Sequence, residues 1–230
     1  MANLIASDLH GMGQLWDNIK NYLKPEDTLY FLGDAADRGP DGFRIMRELA
    51  SHPQVVYLKG NHEMLLADAI LEWYGDDNMR GAMQCLYENG GGITFSDWMQ
   101  DGGKADWATY LRQLPSYVQL EGKDGRTVHL SHAGFSTNKP MPKPIELWWD
   151  RKHINDDYED DTCWVIHGHT PTCYFYTDEE EVKEEMRNPA PILNGNKICI
   201  DLGSFATLKT CLFNLDTMKP IIIGMEGVIE

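Results

Sequence analysis

Five times along this 230-residue chain an apolar, strand-like run stops and hands over to Asp, His or Asn beside a glycine, and this punctuation restricts the possible folds more than any other feature. Residues 3–7 ("NLIAS") lead into Asp8-Leu9-His10-Gly11, residues 28–33 ("TLYFLG") into Asp34 and then Asp37-Arg38-Gly39, and residues 55–60 ("VVYLKG") into Asn61-His62-Glu63. Between these runs lie "MGQLWDNIKNYL" and "DGFRIMRELASH", whose apolar residues recur at helical spacing. A β-α-β-α-β order implies parallel strands and a layered α/β architecture. In such sheets ligands bind beyond the C-terminal ends of the strands, so these polar tips predict one common site.

Residues 63–113 read as helical, broken by a glycine turn in "ENGGGITF". Beyond them the chain becomes strand-rich, in "SYVQL", "TVHLSHAG", "CWVIHGH", "KICIDLG", "TLKTCLFNL" and "PIIIGM". These runs predict a second, mixed sheet packed on the first. Two of them repeat the polar ending, with His132 in "LSHAGF" and His169 in "IHGHTP". Acidic insertions at about 155–161 and 178–188 read as a solvated loop and an exposed short helix. No repeat or long linker divides the sequence, so residues 1–230 are expected to form a single domain.

Twenty basic against 36 acidic residues give a formal charge of −16, which excludes nonspecific binding to nucleic acid or an anionic membrane. Any attraction for a phosphate must therefore be local. The five cysteines, at 85, 163, 173, 199 and 211, contain no Cys-x-x-Cys pair and read as buried, reduced thiols. The N-terminal "MANLIASDLHG" lacks a basic region and a signal-length apolar run, and no 18 apolar residues are consecutive. A soluble, cytoplasmic protein is the expectation. Carboxylates and imidazoles gathered without thiolate suit two divalent ions of intermediate hardness, Mn, Fe or Zn.

In chain order, Asp-x-His-Gly, Gly-Asp-x-x-Asp-Arg-Gly, Gly-Asn-His-Glu, Ser-His-Ala-Gly and Gly-His-Thr resemble the signature of the calcineurin-like metallophosphoesterases. More narrowly they are similar to the PPP-type phosphoprotein phosphatases, bacterial and phage arm. "ENGGGITF" looks like that arm's Asn-Gly-Gly element and "LWWDR" like its Trp-x-x-Arg. The eukaryotic Ser-Ala-Pro-Asn-Tyr signature is missing, with "ICIDLGSF" at the comparable place, and Thr170-Pro171 follows His169 where many non-PPP relatives have Gly-His-x-His.

The resemblance implies two mixed sheets packed as a sandwich flanked by helices, α/β/β/α, with a dinuclear metal site at the strand ends. It implies Asp8 and His10 on the first metal, Asp34 bridging, and Asn61, His132 and His169 completing the second, with Mn the expected ion. A metal-bridging hydroxide would attack phosphorus in line. Arg38 and Arg151 would fork onto the phosphate oxygens, with Asn61 and His62 also contacting them. His62 would protonate the leaving oxygen while Asp37 orients it. The implied function is a metal-dependent phosphomonoesterase acting on phosphoserine, phosphothreonine and also phosphotyrosine in proteins or peptides. The alternatives are a symmetrical bis(5'-nucleosyl)-tetraphosphate hydrolase, whose third motif more often ends in Asp than in Glu63, and an inactive phosphate-binding module, which predicts a missing ligand where none is missing. His167 reads as hydrogen-bonded rather than ligating, His52, His129 and His153 as structural, and Trp148 and Trp149 as core and pocket wall.

Overall fold

In the computed structural model, which describes residues 1–151 and 160–229, the first sheet begins with three parallel strands. They are β1 (Asn3–Ala6), β2 (Thr28–Phe31) and β3 (Val55–Tyr57), joined through helices α1 (Gly13–Tyr22) and α2 (Gly42–Ser51). The helical stretch follows as α3 (Asn61–Trp73), α4 (Ala82–Glu88), α5 (Gly92–Gln100) and α6 (Asp106–Gln113). The second sheet contains β4 (Tyr117–Glu121), β5 (Thr127–Ser131), β6 (Cys163–His167), β7 (Ile192–Asn194) and β8 (Lys197–Cys199). Its order is β4-β5-β6-β8-β7, parallel among β5, β6 and β8 and antiparallel at both edges. Short α7 (Glu146–Trp149) precedes β6, and a 3-10 turn (Thr172–Phe175) and α8 (Glu179–Arg187) follow it.

After α9 (Ser204–Thr207) the chain departs from expectation. Strands β9 (Lys209–Asn214), β10 (Lys219–Gly224) and β11 (Gly227–Ile229) do not extend the second sheet. They return to the first, in the order β11-β10-β9-β1-β2-β3, with β9 antiparallel to β1 (Ile5 opposite Phe213). The reason is burial on two faces. Leu212 enters the core beneath the helices while Cys211 and Phe213 enter the core between the sheets. A continuous apolar run specifies such a central strand but not which sheet receives it. The short strands β7 and β11 also lay outside the sequence reading.

Adjacent residues of β1 divide the interior in the same way. Leu4 and Ala6 pack with Trp16, Phe31 and Ile45 under the helices, while Ile5 packs with Leu58, Val128, Leu130 and Ile166 between the sheets. A strand buried on both faces has no solvent side, so its only polar exit is its end. The acidic 178–188 stretch does form an exposed helix, α8, with no buried residue. His153 and most of the 155–161 insertion lie outside the described residues. All five cysteines are free thiols. Among the described residues no helix is long and apolar enough to cross a membrane.

Phe213 is 3% exposed in the core between the sheets. Truncation to Ala removes a ring from a packed interior and should cost about 3–5 kcal/mol. Urea unfolding should report this as a lower midpoint with an unchanged slope, whereas a loss below about 1 kcal/mol would place β9 outside the core.

Candidate metal centre and phosphate site

Among the described residues eight non-glycine positions have left-handed backbone, and six belong to the strand tips: Asp8 (φ 54°), His10 (45°), Asp34 (58°), Asp37 (71°), Arg38 (66°) and His169 (67°). Each such conformation costs roughly 1–3 kcal/mol and persists only where its surroundings impose it. The tips brace one another: Asp8 N–H donates to the Gly33 carbonyl and His10 N–H to that of Asp34 (both 3.0 Å), and Gly39 N–H donates to that of His10 (2.9 Å). His169 N–H donates to Asp8 Oδ2 at 3.0 Å. Two glycines are fixed by close approach. A Cβ on Gly60 would stand 2.2 Å from Asp34 Oδ1, and one on Gly168 would stand 1.9 Å from Asp8 Oδ2.

The side chains then converge with acceptors facing acceptors. His10 donates from Nδ1 to the Ala36 carbonyl (3.1 Å) and His132 from Nδ1 to the Leu32 carbonyl (2.9 Å), which leaves each neutral ring with a bare Nε2. The His10 Nε2 lies 3.9 Å from Asp8 Oδ1 and 3.7 Å from Asp34 Oδ2. The His132 Nε2 lies 3.3 Å from Asp34 Oδ2, 3.0 Å from Asn61 Oδ1 and 3.2 Å from His169 Nδ1. Buried Asp8 Oδ1 accepts no hydrogen bond. Lone pairs held this close in a dry site repel unless positive charge lies among them.

Titration behaviour carries the same message. Burial alone would lift Asp34, but the charges of His132 and His62 hold its carboxyl well below the usual range. Burial depresses His132, yet Asp34 and Asp8 push it up to about 9. Burial, with His132 beside it, lowers His169 to about 2. The carboxylates thus draw positive charge into the cluster, and by geometry two candidate groups share one carboxylate: His10, Asp34 and His62 in one, Asp34, His132 and His169 in the other, the donor atoms of each within 4.8 Å of one another. The oxygen and nitrogen donors fit divalent ions of intermediate hardness.

His62 borders the cluster, with Nε2 3.8 Å from Asp34 Oδ2. Its Nδ1 donates to Asp37 Oδ2 at 2.7 Å and its Nε2 lies 3.3 Å from Arg38 Nη2. Burial lowers its affinity for a proton, but Asp34 and the bond to Asp37 outweigh burial and raise its pKa. The glycine turn and the first turn of α5 secure both neighbours: Asp37 N–H donates to Thr94 Oγ1 and Arg38 N–H to the Gly90 carbonyl, each at 3.0 Å. Arg151 is exposed, with Nη2 donating to the His169 carbonyl at 3.5 Å. The Trp149 ring lies 6.3 Å from His169, and Trp148 packs against the small core of Phe135, Leu147 and Val165. Contacts thus link all ten candidate residues into one cluster, with Arg151 joined through the His169 carbonyl. His167 is buried with Nδ1 3.0 Å from the Gly168 carbonyl, and burial pushes its pKa down to about 4.

Three supporting residues lay outside the sequence reading of the site. Glu63 is buried and accepts from the N–H groups of Asp34 (2.8 Å), Ala35 (2.9 Å) and Gly60 (2.7 Å) and from the Tyr57 hydroxyl (2.8 Å). It braces the backbone of the second and third tips and does not face substrate, so its length says nothing directly about substrate. Its bond to the Gly60 N–H is the glutamate half of a capping box, and Gly60 has no side chain to supply the other half. Nothing in the sequence marks Thr94 for its role. Asp201 ends β8 as the other tips end theirs; it is buried, accepts from Gly203 N–H at 2.8 Å, and burial together with Asp8 lifts its pKa well above the carboxylate range.

The two-sheet α/β fold thus carries two candidate cation groups at its strand tips, with Arg38 and Arg151 beside them. The chain matches the calcineurin-like phosphoesterase family over residues 1–199 and belongs to it. The family uses a dinuclear divalent metal centre, and the groups sharing Asp34 are its candidate ligands here. A Caenorhabditis elegans protein named "Putative serine/threonine-protein phosphatase C06A1.3" is 26% identical over 158 residues, covering 62% of this chain and 37% of its own length. The asymmetrical bis(5'-nucleosyl)-tetraphosphatase PrpE of Oceanobacillus iheyensis is 24% identical over 170 residues, covering 62% of each chain. The present chain therefore spans less than two thirds of either relative. The solved cold-active protein-tyrosine phosphatase of a psychrophilic Shewanella superposes with a TM-score of 0.59 at 14% identity, covering 99% of this chain and 80% of that one, and so shares the fold.

Asp34 touches both candidate groups, so Asp34→Asn should lower bound metal at both sites after equilibrium dialysis against Mn. Turnover should fall by more than the roughly 10- to 100-fold typical of changes to outer partners of a metal site. Wild-type metal content with near wild-type rates would remove Asp34 from the shared position.

Proposed function

We propose that this chain is a metal-dependent phosphomonoesterase acting on phosphoserine and phosphothreonine in proteins or peptides, with phosphotyrosine also accepted. The observation that carries this reading is the Asp37–His62 pair beside Arg38, a proton donor held ready next to a phosphate clamp. A serine or threonine alkoxide is a poor leaving group and needs a proton, whereas the phosphate leaving group of a nucleoside polyphosphate departs with far less help. The second reading, a dinucleoside tetraphosphate hydrolase, draws support from the name of the Oceanobacillus relative. An inactive module is disfavoured because every ligand of the pattern is present.

In this reading Asp8, His10 and Asp34 would hold one ion and Asp34, Asn61, His132 and His169 the other, and the three oxygen and three imidazole ligands, without thiolate, suit Mn, with Fe or Zn as the alternatives. Two such ions supply Lewis acidity and a nucleophile at neutral pH. The chain's own groups do the rest. Arg38 and Arg151 bind the non-bridging phosphate oxygens, each guanidinium able to fork onto two. Asn61 and His62 complete the cradle. Asp37 fixes the His62 ring so that Nε2–H points at the leaving oxygen, and its charge keeps the proton there until the bond to phosphorus breaks. The net charge of −16 is screened beyond about 8–10 Å, so this local positive surface governs capture of the phosphate. The partner is a phosphorylated protein or peptide rather than nucleic acid, and the compartment proposed is the cytoplasm.

His62→Asn should slow a phosphoserine peptide by about 10²- to 10⁴-fold and an activated aryl phosphate much less, since nitrophenolate leaves almost unaided. Both rates are read on one metal-quantified preparation. Equal losses with both ions retained would remove His62 from the acid role. Arg151→Ala should lower turnover on monoesters while metal content stays intact, whereas loss of metal would move Arg151 into the scaffold. Wild-type turnover on phosphopeptides and diadenosine tetraphosphate, measured side by side, decides between the two substrate classes.

A further inference from the structure

A groove of about 710 Å³ opens directly beside Arg38, and its walls come from segments with no role in the cluster of ligands: Tyr174 in the 3-10 turn and Tyr176 just after it, Val182 and Met186 of α8, and Phe205 of α9. Its apolar side chains are turned to solvent. Tyr174 is 67% exposed, Phe205 50% and Met186 41%. Val182 and Met186 are one helical turn apart, so α8 places its short apolar stripe along the groove and buries no residue in the core. Five of the other seven positions of the helix are acidic. Residues 178–187 hold Asp178, Glu179, Glu180, Glu181, Glu184 and Glu185 against Lys183 and Arg187, and Glu185 is close enough to the groove residue Cys173 to raise its pKa, after burial and Asp201.

We propose that this groove holds the stretch of a phosphopeptide next to the phosphorylated residue, taking an apolar or aromatic side chain between Tyr174, Met186 and Phe205 and a Lys or Arg against the acidic face of α8. The inference rests on the phosphoprotein reading above and specifies its substrate. Continuity fixes the location, because Arg38 both borders the groove and stands 3.3 Å from His62. Charge complementarity fixes the occupant. A dinucleoside polyphosphate could stack a base on the same aromatics, but its remaining phosphates would lie against the acidic helix, whereas a basic peptide is attracted there.

The test compares kcat/KM on metal-loaded protein for three phosphoserine peptides, carrying Phe with Lys, Gly with Lys, or Phe with Glu next to the phosphoserine, and for p-nitrophenyl phosphate and diadenosine tetraphosphate. The Phe/Lys peptide should exceed the other two by about tenfold, the scale on which apolar pockets discriminate, and the Lys advantage should fade with salt. Tyr174→Ser with Phe205→Ser should erase the Phe preference, and Glu185→Lys should erase or reverse the Lys preference. Neither change should alter the rate on p-nitrophenyl phosphate, which is too small to reach the groove. Circular dichroism confirms folding of these surface variants. Peptides turned over without discrimination, or with a preference that survives both variants, would overturn the groove assignment and leave the phosphoprotein reading intact. Failure to cleave any peptide, with diadenosine tetraphosphate cleaved and slowed by the aromatic double variant, would overturn both.

Discussion

The Asp34 carboxylate is the interaction on which the rest of the site depends. It sits on left-handed backbone, 2% exposed, with Oδ1 accepting the His62 N–H at 3.0 Å and Oδ2 3.3 Å from His132, 3.7 Å from His10 and 3.8 Å from His62. A charge so placed in a dry interior is tolerable only with cationic neighbours. Glu63 fixes the backbone behind it, and Gly60 is small because Asp34 leaves no room for a side chain. The two sheets must therefore meet at this point in register, since the first supplies Asp34 and Asn61 while the second supplies His132 and His169.

The rest of the fold can be understood as support for that meeting. Strands buried on both faces give a rigid double layer whose polar groups are confined to the tips, and the tips carry the backbone strain. The periphery surrounds them. Gly90, in the turn before α5, and Thr94, in its first turn, hold Arg38 and Asp37, and the segment from the 3-10 turn to α9 lines the groove beside Arg38. In the proposed reading, reaction chemistry and substrate choice lie on separate parts of the chain.

Much of this is readable in the sequence because the pertinent signals are local. An apolar run followed by Asp-x-His-Gly or Gly-Asn-His-Glu specifies both a buried strand and a polar tip, and the ten candidate residues come together as the ordering of those tips implies. Long-range choices were not readable. Nothing local in "TLKTCLFNL" or "PIIIGM" tells which sheet they join, and pairing of β9 with β1 is decided by a core assembled from residues some 200 positions apart. Glu63 and Thr94 act on backbone N–H groups 28 and 57 positions away, so their roles emerge only when the tips converge. Asp201 obeys the strand-end rule, but no neighbouring histidine or arginine drew attention to it.

The central claim is that these tips build two cation sites joined by one carboxylate. Anomalous diffraction from crystals grown with Mn tests it most directly. The account predicts two Mn peaks, one among Asp8, His10 and Asp34 and one among Asp34, Asn61, His132 and His169, with Asp34 contacting both. A single peak, or a pair that leaves Asp34 uncoordinated, would contradict it.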